Sequence, residues 1–116
     1  MDTPKIFDSE YRFCLILWRE EPINSTKLAR ICREELGWSR TTTYTVIKRL
    51  SDRGVVKNEN ATVRSLVSKE QVQASEMDEL LEKTFEGSLP AFIAAFARRQ
   101  KLTEEEVAEL RRIIES

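Results

Sequence analysis

The stretch that decides the fold spans residues 38–56 and reads WSRTTTYTVIKRLSDRGVV. Ser39 is suited to the N-cap of a helix, and Gly54 is suited to the position just past a helix C-terminus. The positions that follow the i, i+3, i+4, i+7 spacing of one buried stripe are Thr43, Val46, Ile47 and Leu50. This spacing predicts an amphipathic helix that packs on a core and ends at a tight turn.

The opposite face of the predicted helix combines hydroxyl groups with positive charge. Its residues are Arg40, Thr41, Thr42, Tyr44, Thr45, Lys48 and Arg49. Exposed threonines are weak helix formers, each less favourable than alanine by about half a kcal/mol, so their presence indicates a use other than stability. Short hydroxyls can reach the edges of bases, and neighbouring cations can neutralise phosphates. We therefore interpret the stretch as a DNA recognition helix.

The elements before this helix predict a helix-turn-helix. A first helix is predicted over residues 8–19, with an apolar stripe wide enough for part of it to lie in an interface. Asn24 is placed to cap a second helix that runs to Leu36, and Gly37 ends it. Because only two residues separate Leu36 from the cap of the next helix, the second and third helices meet through a tight turn.

The segment after Gly54 predicts a β-hairpin wing. Residues 55–58 and 62–67 are typical of two short strands, and a polar turn at 59–61 joins them. Three polar residues of the hairpin are placed either to reach backbone phosphates or to form a solvated edge: Lys57, Asn60 and Arg64. Both interpretations stay open at this point.

The remainder of the chain predicts a helical dimerisation segment. The starts of three amphipathic helices are marked by the caps Ser68 with Gln71, Ser88, and Thr103 with Glu106. Three short helices have too little mutual surface to fold stably alone, so we expect a second copy of the segment to cover them. The predicted dimerisation residues are Val72, Leu80, Leu81, Phe85, Leu89, Phe92, Ile93, Phe96, Val107, Leu110, Ile113 and Ile114. The predicted domains are a winged-helix DNA-binding domain over residues 1–67 and the dimerisation domain over 68–116.

Composition is consistent with this organisation. At 116 residues, with 41% hydrophobic and 34% charged content, the chain suits one compact domain or a small domain with an oligomerisation segment. No apolar run approaches the roughly 20 residues that span a bilayer. The start MDTPKIFDSE lacks the basic and apolar regions of a signal peptide. We therefore expect a cytoplasmic protein with no membrane partner.

The net charge of −1 conceals an asymmetry along the chain. Residues 1–67 contain 12 Lys and Arg against 9 Asp and Glu, whereas residues 68–116 contain 7 against 11. Between residues 38 and 64 the count is 6 against 2. This distribution favours an anionic partner for the first half, around the predicted recognition helix. Scatter in small counts is the alternative explanation.

The chain offers little of the chemistry that catalysis or metal binding needs. Cys14 and Cys32 are the only cysteines, both fall in apolar stripes, and there is no histidine. We expect both thiols to be buried and unpaired, because disulfides are rare in cytosolic proteins. Two thiols without histidine fall short of a four-ligand zinc site. No Gly-rich phosphate loop is present, so we predict no enzyme, no metal and no cofactor.

These residues and their order resemble the penicillinase repressor (BlaI/MecI/CopY) family of bacterial transcriptional regulators. The resemblance runs from Ile6 to about Ile114. The residues that carry it most strongly are Trp38, Ser39 and Thr42, then Lys48, Arg49 and Leu50, then Arg53 and Gly54. It implies a mainly α-helical fold, in which three helices and a β-hairpin wing precede a helical dimerisation domain. It also implies a repressor that binds a palindromic operator as a homodimer and controls a β-lactam-resistance or related stress operon.

The resemblance also implies roles for individual residues. By motif match, the residues presented to bases in the major groove are Arg40, Thr41, Thr42 and Thr45. Lys48 and Arg49 fall where backbone contact is expected. The further candidates for backbone contact, which do not depend on the resemblance, are Tyr44 on the same helix and Lys57 and Arg64 on the wing. Trp38 matches a position that serves in packing. Members that respond to β-lactams are cleaved in the dimerisation region, and the matching bond here joins Ala95 and Phe96, which makes a sensor-protease a candidate partner.

The sequence departs from the family pattern at three places. The wing lacks the usual Gly-Arg pair followed by aromatic residues and reads NATVR over residues 60–64. Residues 112–116 read RIIES, whereas copper-responsive members carry a cysteine cluster at their end, which argues against copper sensing. The residue before the matching cleavage bond, Ala95, differs from the usual Asn.

A different class of function is a winged-helix module that serves protein assembly without binding DNA. That hypothesis predicts a neutral or acidic exposed face on the third helix. The excess of basic residues between positions 38 and 64 argues against it.

Overall fold

The computed structural model describes residues 3–99 and 101–116. The elements, in chain order, are α1 (Asp8–Glu20), β1 (Ile23–Asn24), α2 (Ser25–Leu36), α3 (Arg40–Asp52), β2 (Val56–Glu59), β3 (Thr62–Ser65), α4 (Lys69–Phe85), α5 (Leu89–Arg99) and α6 (Glu104–Glu115). The chain forms two compact units, of which the first ends at Glu76 and the second begins at Met77. The predicted mainly α-helical, winged-helix fold is confirmed.

Local capping interactions fix the ends of α2 and α3. The side chain of Asn24 accepts a hydrogen bond from the backbone N–H of Thr26 at 2.8 Å. Gly37 ends α2 in the left-handed conformation, with φ of 72°, which a residue without Cβ adopts at little steric cost. Ser39 Oγ then accepts from the N–H of Thr42 at 3.1 Å and starts α3. The predicted tight turn between the two helices is therefore confirmed.

The core of the first unit forms where three helices meet a small sheet. Its largest fully buried apolar side chains are Phe13, Leu17, Leu28, Leu50, Val55, Val56 and Val63. Burying each one stabilises the fold by about 1.5–3 kcal/mol relative to leaving it exposed. Trp38 stacks on Phe13 with ring centroids 6.2 Å apart and an interplanar angle of 4°, which confirms its packing role. Cys14 and Cys32 are buried and unpaired, as predicted.

The hairpin and one unpredicted strand make a three-stranded antiparallel sheet in the order β1-β3-β2. Strands β2 and β3 pair from Val56 opposite Ser65 to Glu59 opposite Thr62. The turn residues Asn60 and Ala61 have φ values of 52° and 61°, the signs of a type I′ hairpin turn. Strand β1 pairs with β3 on its other edge. Strand β2 lies one residue later than the predicted 55–58, and β3 ends at Ser65, two residues before the predicted end. The N–H of Val55 donates to the carbonyl of Leu50 at 2.8 Å, which ties this residue to the end of α3.

The predicted starts of α4, α5 and α6 are confirmed. Ser68 and Gln71 form a reciprocal capping box with distances of 2.7 and 3.0 Å. Ser88 Oγ accepts from the N–H of Ala91 at 3.1 Å and caps α5. Thr103 and Glu106 form the second capping box, with both distances at 3.0 Å. Of the helices described, none combines the length and hydropathy needed to cross a lipid bilayer.

The start of α4 belongs to the first unit, which corrects the prediction for Val72. This residue, predicted to lie in a dimer interface, is 2% exposed and belongs to the core of the winged helix. Trp18 Nε1 donates to the carbonyl of Val67 at 3.0 Å and holds the preceding segment on the same unit. A capping box marks the start of a helix but not a domain boundary. The compact units accordingly divide after Glu76, whereas the sequence places the boundary after Val67.

Candidate nucleic-acid interface

Helix α3 presents one face to the core and the other to solvent. Its buried positions are Thr43, Val46, Ile47 and Leu50, as the spacing predicts. Its exposed positions are Arg40, Thr41, Thr42, Thr45, Lys48, Arg49 and Asp52. Asp52 at the last turn is the one acidic residue within Arg40–Asp52, so the first three turns of the exposed face carry only hydroxyls and cations.

Contacts at its C-terminal end fix the direction of α3. The guanidinium of Arg53 pairs with the buried carboxylate of Glu10 on α1. That carboxylate also accepts the backbone N–H of Phe7 at 2.9 Å, and Arg53 lies over the Phe7 ring at 5.4 Å. At the other end, the stacked ring of Trp38 anchors the turn before the helix. The exposed face is therefore held on a rigid support, which precise recognition requires.

Arg40 and Tyr44 form a pair on the exposed face. Arg40 Nε donates to Tyr44 Oη at 3.5 Å, and the guanidinium carbon lies 5.8 Å from the ring centroid. The hydrogen bond from Arg40 lowers the pKa of Tyr44. The ring of Tyr44 is half-buried and packs against the core, so it provides a fixed surface for the guanidinium of Arg40. This arrangement limits the rotamers that Arg40 can adopt.

The exposed threonines of α3 differ in what their hydroxyls do. Thr42 Oγ1 lies 2.9 Å from Ser39 Oγ and takes part in the helix cap. Within the described part of the chain, the hydroxyls of Thr41 and Thr45 have no such partner. Both line a shallow depression together with Lys48 and Arg49. Of the threonines predicted to contact bases, Thr41 and Thr45 are thus the two whose hydroxyls are available to a ligand.

Charge on the exposed face and the wing is partly compensated. Lys48 Nζ lies 3.7 Å from Asp52, in a pair exposed on both sides. On the wing, Lys57 Nζ lies 3.0 Å from Glu59, and Lys57 together with the nearby Arg64 lowers the pKa of that carboxyl. Such exposed pairs contribute little stability, so both lysines can exchange their partner for another anion. Arg64 is exposed and lies opposite Lys57 in the ladder.

Two basic residues on α2 escaped the sequence analysis. Arg30 and Arg33 are exposed and, together with Thr26 and Ala29, line a second shallow depression that reaches Arg40. The signal was present: Thr26, Arg30 and Arg33 recur at i, i+4 and i+7, which places them on one helix face.

The second unit leaves much of its apolar surface exposed. The exposed members of the predicted dimerisation set are Leu80, Leu89, Ile93, Phe96, Leu110, Ile113 and Ile114, and the half-buried members are Leu81, Phe85, Phe92 and Val107. Phe85 and Phe92 contact each other edge to face, with centroids 5.4 Å apart. The bond between Ala95 and Phe96 lies inside α5, where the backbone is helical.

A core of three helices, a hairpin after the third helix, and a basic, threonine-rich outer face on that helix define a winged helix-turn-helix protein. The chain belongs to the penicillinase repressor family, whose model matches residues 6–116.

Relatives of known role cover nearly the whole chain. It is 24% identical over 116 residues to the methicillin resistance regulatory protein MecI of Staphylococcus aureus strain Mu50, covering 97% of this chain and 94% of that protein. It is 26% identical over 117 residues to the penicillinase repressor of Bacillus licheniformis, covering 97% and 91%. Among solved structures, it resembles monomeric BlaI of Bacillus licheniformis in complex with the blaP half-operator. That match has a TM-score of 0.53 and 21% identity over 61% of this chain and 93% of the other, and it shows the fold.

Proposed function

We propose that the chain is a sequence-specific DNA-binding repressor that acts as a homodimer on a palindromic operator. The observation that carries the proposal is the outer face of α3, where threonine hydroxyls and cations lie on a helix held at both ends. A relative that is named for penicillinase repression and a fold shared with an operator-bound protein support it. We propose no catalytic role.

In this mechanism α3 enters the major groove, and its residues make different kinds of contact with the DNA. Thr41 and Thr45 contact base edges directly, and Arg40, supported by Tyr44, reaches a guanine. Thr42 contributes mainly through the helix cap. Lys48 and Arg49 contact the backbone, and the wing residues Lys57 and Arg64 do so on the flanking strand. A bidentate contact between arginine and guanine supplies about 1–3 kcal/mol of discrimination against other base pairs.

Dimerisation follows in the proposal from the exposed apolar face of the second unit. Leu89, Ile93 and Phe96 recur along α5 at helical spacing and are all about half exposed or slightly less. A second copy of the same helices would remove these side chains from water, at about 25 cal/mol for each Å² buried. A two-fold axis then sets two copies of α3 about one helical turn of DNA apart, or a multiple of it.

Relief of repression is part of the same proposal. The relatives are named for penicillinase and methicillin resistance, so we propose a β-lactam-resistance or related stress operon as the target. A partner sensor-protease would cut between Ala95 and Phe96, which requires α5 to open locally because proteases act on extended backbone. A DNA partner implies that the protein works in the cytoplasm.

Removing two hydroxyls tests the base-reading role without changing charge. The double variant Thr41→Val and Thr45→Val should weaken binding to a duplex enriched from a random pool by at least ten-fold, since base contacts are worth about 1–3 kcal/mol. Its binding to a shuffled duplex should stay within two-fold of the wild-type value. The matched control, Thr84→Val, removes an exposed hydroxyl from α4 and should change neither.

Fluorescence anisotropy at two salt concentrations provides the measurement. Equal losses on both duplexes would reassign the two threonines to backbone contact. If the full chain binds no duplex at low salt, the repressor proposal is wrong and the assembly hypothesis takes its place.

A further inference from the structure

Three arginines from two helices converge on one surface beside the recognition helix. Arg30 and Arg33 of α2 and Arg40 at the start of α3 line the same shallow depression, and we call these three residues the arginine cluster. All three are exposed. The cluster adjoins the face of α3 that the proposed function assigns to base reading, because Arg40 belongs to both surfaces.

The arginine cluster forms no ion pair in the part of the chain that the structure describes. Among residues 3–99 and 101–116, no acidic side chain lies within 4 Å of any of its guanidinium groups. Arg19 differs from the arginine cluster, because its charge is paired: its Nη1 donates to Glu35 at 3.1 Å and its Nε donates to Glu20 at 2.8 Å. Like charges three or four positions apart on a helix destabilise it. An anion bound between Arg30 and Arg33 would relieve this repulsion.

The form of the side chains indicates which anion this is. Guanidinium groups present paired N–H donors in one plane and bind phosphate oxygens bidentately. In a helix-turn-helix the helix that precedes the recognition helix crosses the sugar-phosphate backbone. Arg30 and Arg33 lie on that helix, on the side that faces Arg40.

We propose that Arg30 and Arg33 bind successive backbone phosphates of the DNA strand that borders the groove entered by α3. This inference rests on the proposed function and extends it to α2, which neither the family motif nor the spacing of α3 includes. The two contacts supply affinity that does not depend on sequence, and they fix the register in which Arg40 meets its base pair.

The test is the salt dependence of binding by the full-length double variant Arg30→Gln and Arg33→Gln. Each phosphate contact contributes about 0.9 to the slope of log K against log salt. Loss of two contacts per protomer should therefore flatten the slope by about 1.8 for each protomer bound. Between about 50 and 200 mM salt, the ratio of wild-type to variant affinity should fall about twelve-fold per protomer.

Two further variants isolate charge and position. Arg12→Gln removes a positive charge from an exposed site on α1 that does not line the depression, and it should leave the slope unchanged. Replacing Arg30 and Arg33 with lysine keeps the charge, so the slope should stay near the wild-type value. Thermal unfolding of each variant verifies that the fold is intact.

The outcomes separate this inference from the proposed function. Equal loss on an enriched and a shuffled duplex, with a flatter slope, supports phosphate contact. If the wild-type protein binds DNA and the glutamine variant shows the same slope, the inference is wrong and the repressor proposal is unaffected. A loss confined to the enriched duplex overturns it as well, because it would make the two arginines base contacts. Wild-type protein that binds neither duplex refutes the proposed function itself.

Discussion

The pair between Glu10 and Arg53 gives the sharpest prediction about how the recognition helix is supported. Glu10 is 4% exposed, and its carboxylate accepts from Arg53 and from the N–H of Phe7. Replacement of Arg53 by methionine keeps an unbranched stem over the Phe7 ring and removes the positive charge. The carboxylate is then left in the interior with one neutral donor.

The magnitude follows from how far each partner is buried. Removing one partner of a fully buried ion pair destabilises a protein by about 3–5 kcal/mol. The Arg53 side chain is 31% exposed, so solvent screens its interaction with Glu10. Its Nε is buried without a hydrogen-bond partner, and the substitution removes the desolvation cost of that atom. We therefore expect Arg53→Met to lower the free energy of unfolding of the first unit by about 2 kcal/mol.

Urea unfolding measured by tryptophan fluorescence reports on this unit, since Trp18 and Trp38 are the two tryptophans of the chain and both lie in it. Protein concentration is held constant so that any self-association contributes equally. Arg19→Met is the matched control, because Arg19 is half exposed and its partners Glu20 and Glu35 are half-buried and exposed, and it should change stability little. A double-mutant cycle with Glu10→Gln should give a coupling of at least about 1 kcal/mol. Coupling near zero would refute the view that this pair anchors α3.

Three further predictions address stability and thiol chemistry. Thr43 is fully buried, and its Oγ1 lies near the weakly polar thiol of Cys32 but makes no hydrogen bond of ordinary geometry. Thr43→Val should therefore keep or raise stability, by up to about 1 kcal/mol in thermal unfolding. A clear loss would show that the contact between the hydroxyl and the thiol stabilises the fold. Ala61 has φ of 61°, so Ala61→Gly should relieve backbone strain and stabilise the first unit by about 1 kcal/mol. Asn60→Gly should give a smaller gain, because asparagine tolerates that conformation. Urea midpoints that rank the two variants the other way would contradict this prediction. Burial raises the pKa of Cys14 to about 12 and also raises that of Cys32, which disfavours the reactive thiolate. A thiol reagent should therefore label neither residue faster than the protein unfolds, even when the pH is raised from 7 to 9, and rapid labelling of native protein would exclude the buried placement.

Local signals made most of the fold predictable from the sequence. Asn24, Ser39 and Thr103 cap their helices through hydrogen bonds within three residues, so neighbours in sequence suffice to identify them. The buried stripe of α3 follows from helical periodicity alone. The same periodicity predicted the outer face, whose placement the structure confirms.

Features that depend on distant partners were missed or placed wrongly. The strand β1 is two residues long and exists because Ile23 pairs with Val63, which no local pattern indicates. Val72 has the helical spacing of an interface residue, yet the winged-helix core covers it. The role proposed for Arg30 and Arg33 follows from their position beside Arg40, which lies on a different helix. For β1 and Val72 the decisive neighbours lie far away along the chain, and for the two arginines the neighbour lies on the next helix.

The central claim is that two copies of the chain set their α3 helices into successive grooves of duplex DNA. The most direct test is to select duplexes from a random pool with the full-length protein and to read the symmetry of the enriched sequences. The account predicts an inverted repeat whose half-sites lie about 10 base pairs apart, or a multiple of that, with two chains bound to each duplex. Enrichment of no sequence, or of an asymmetric site that a single chain occupies, would contradict it.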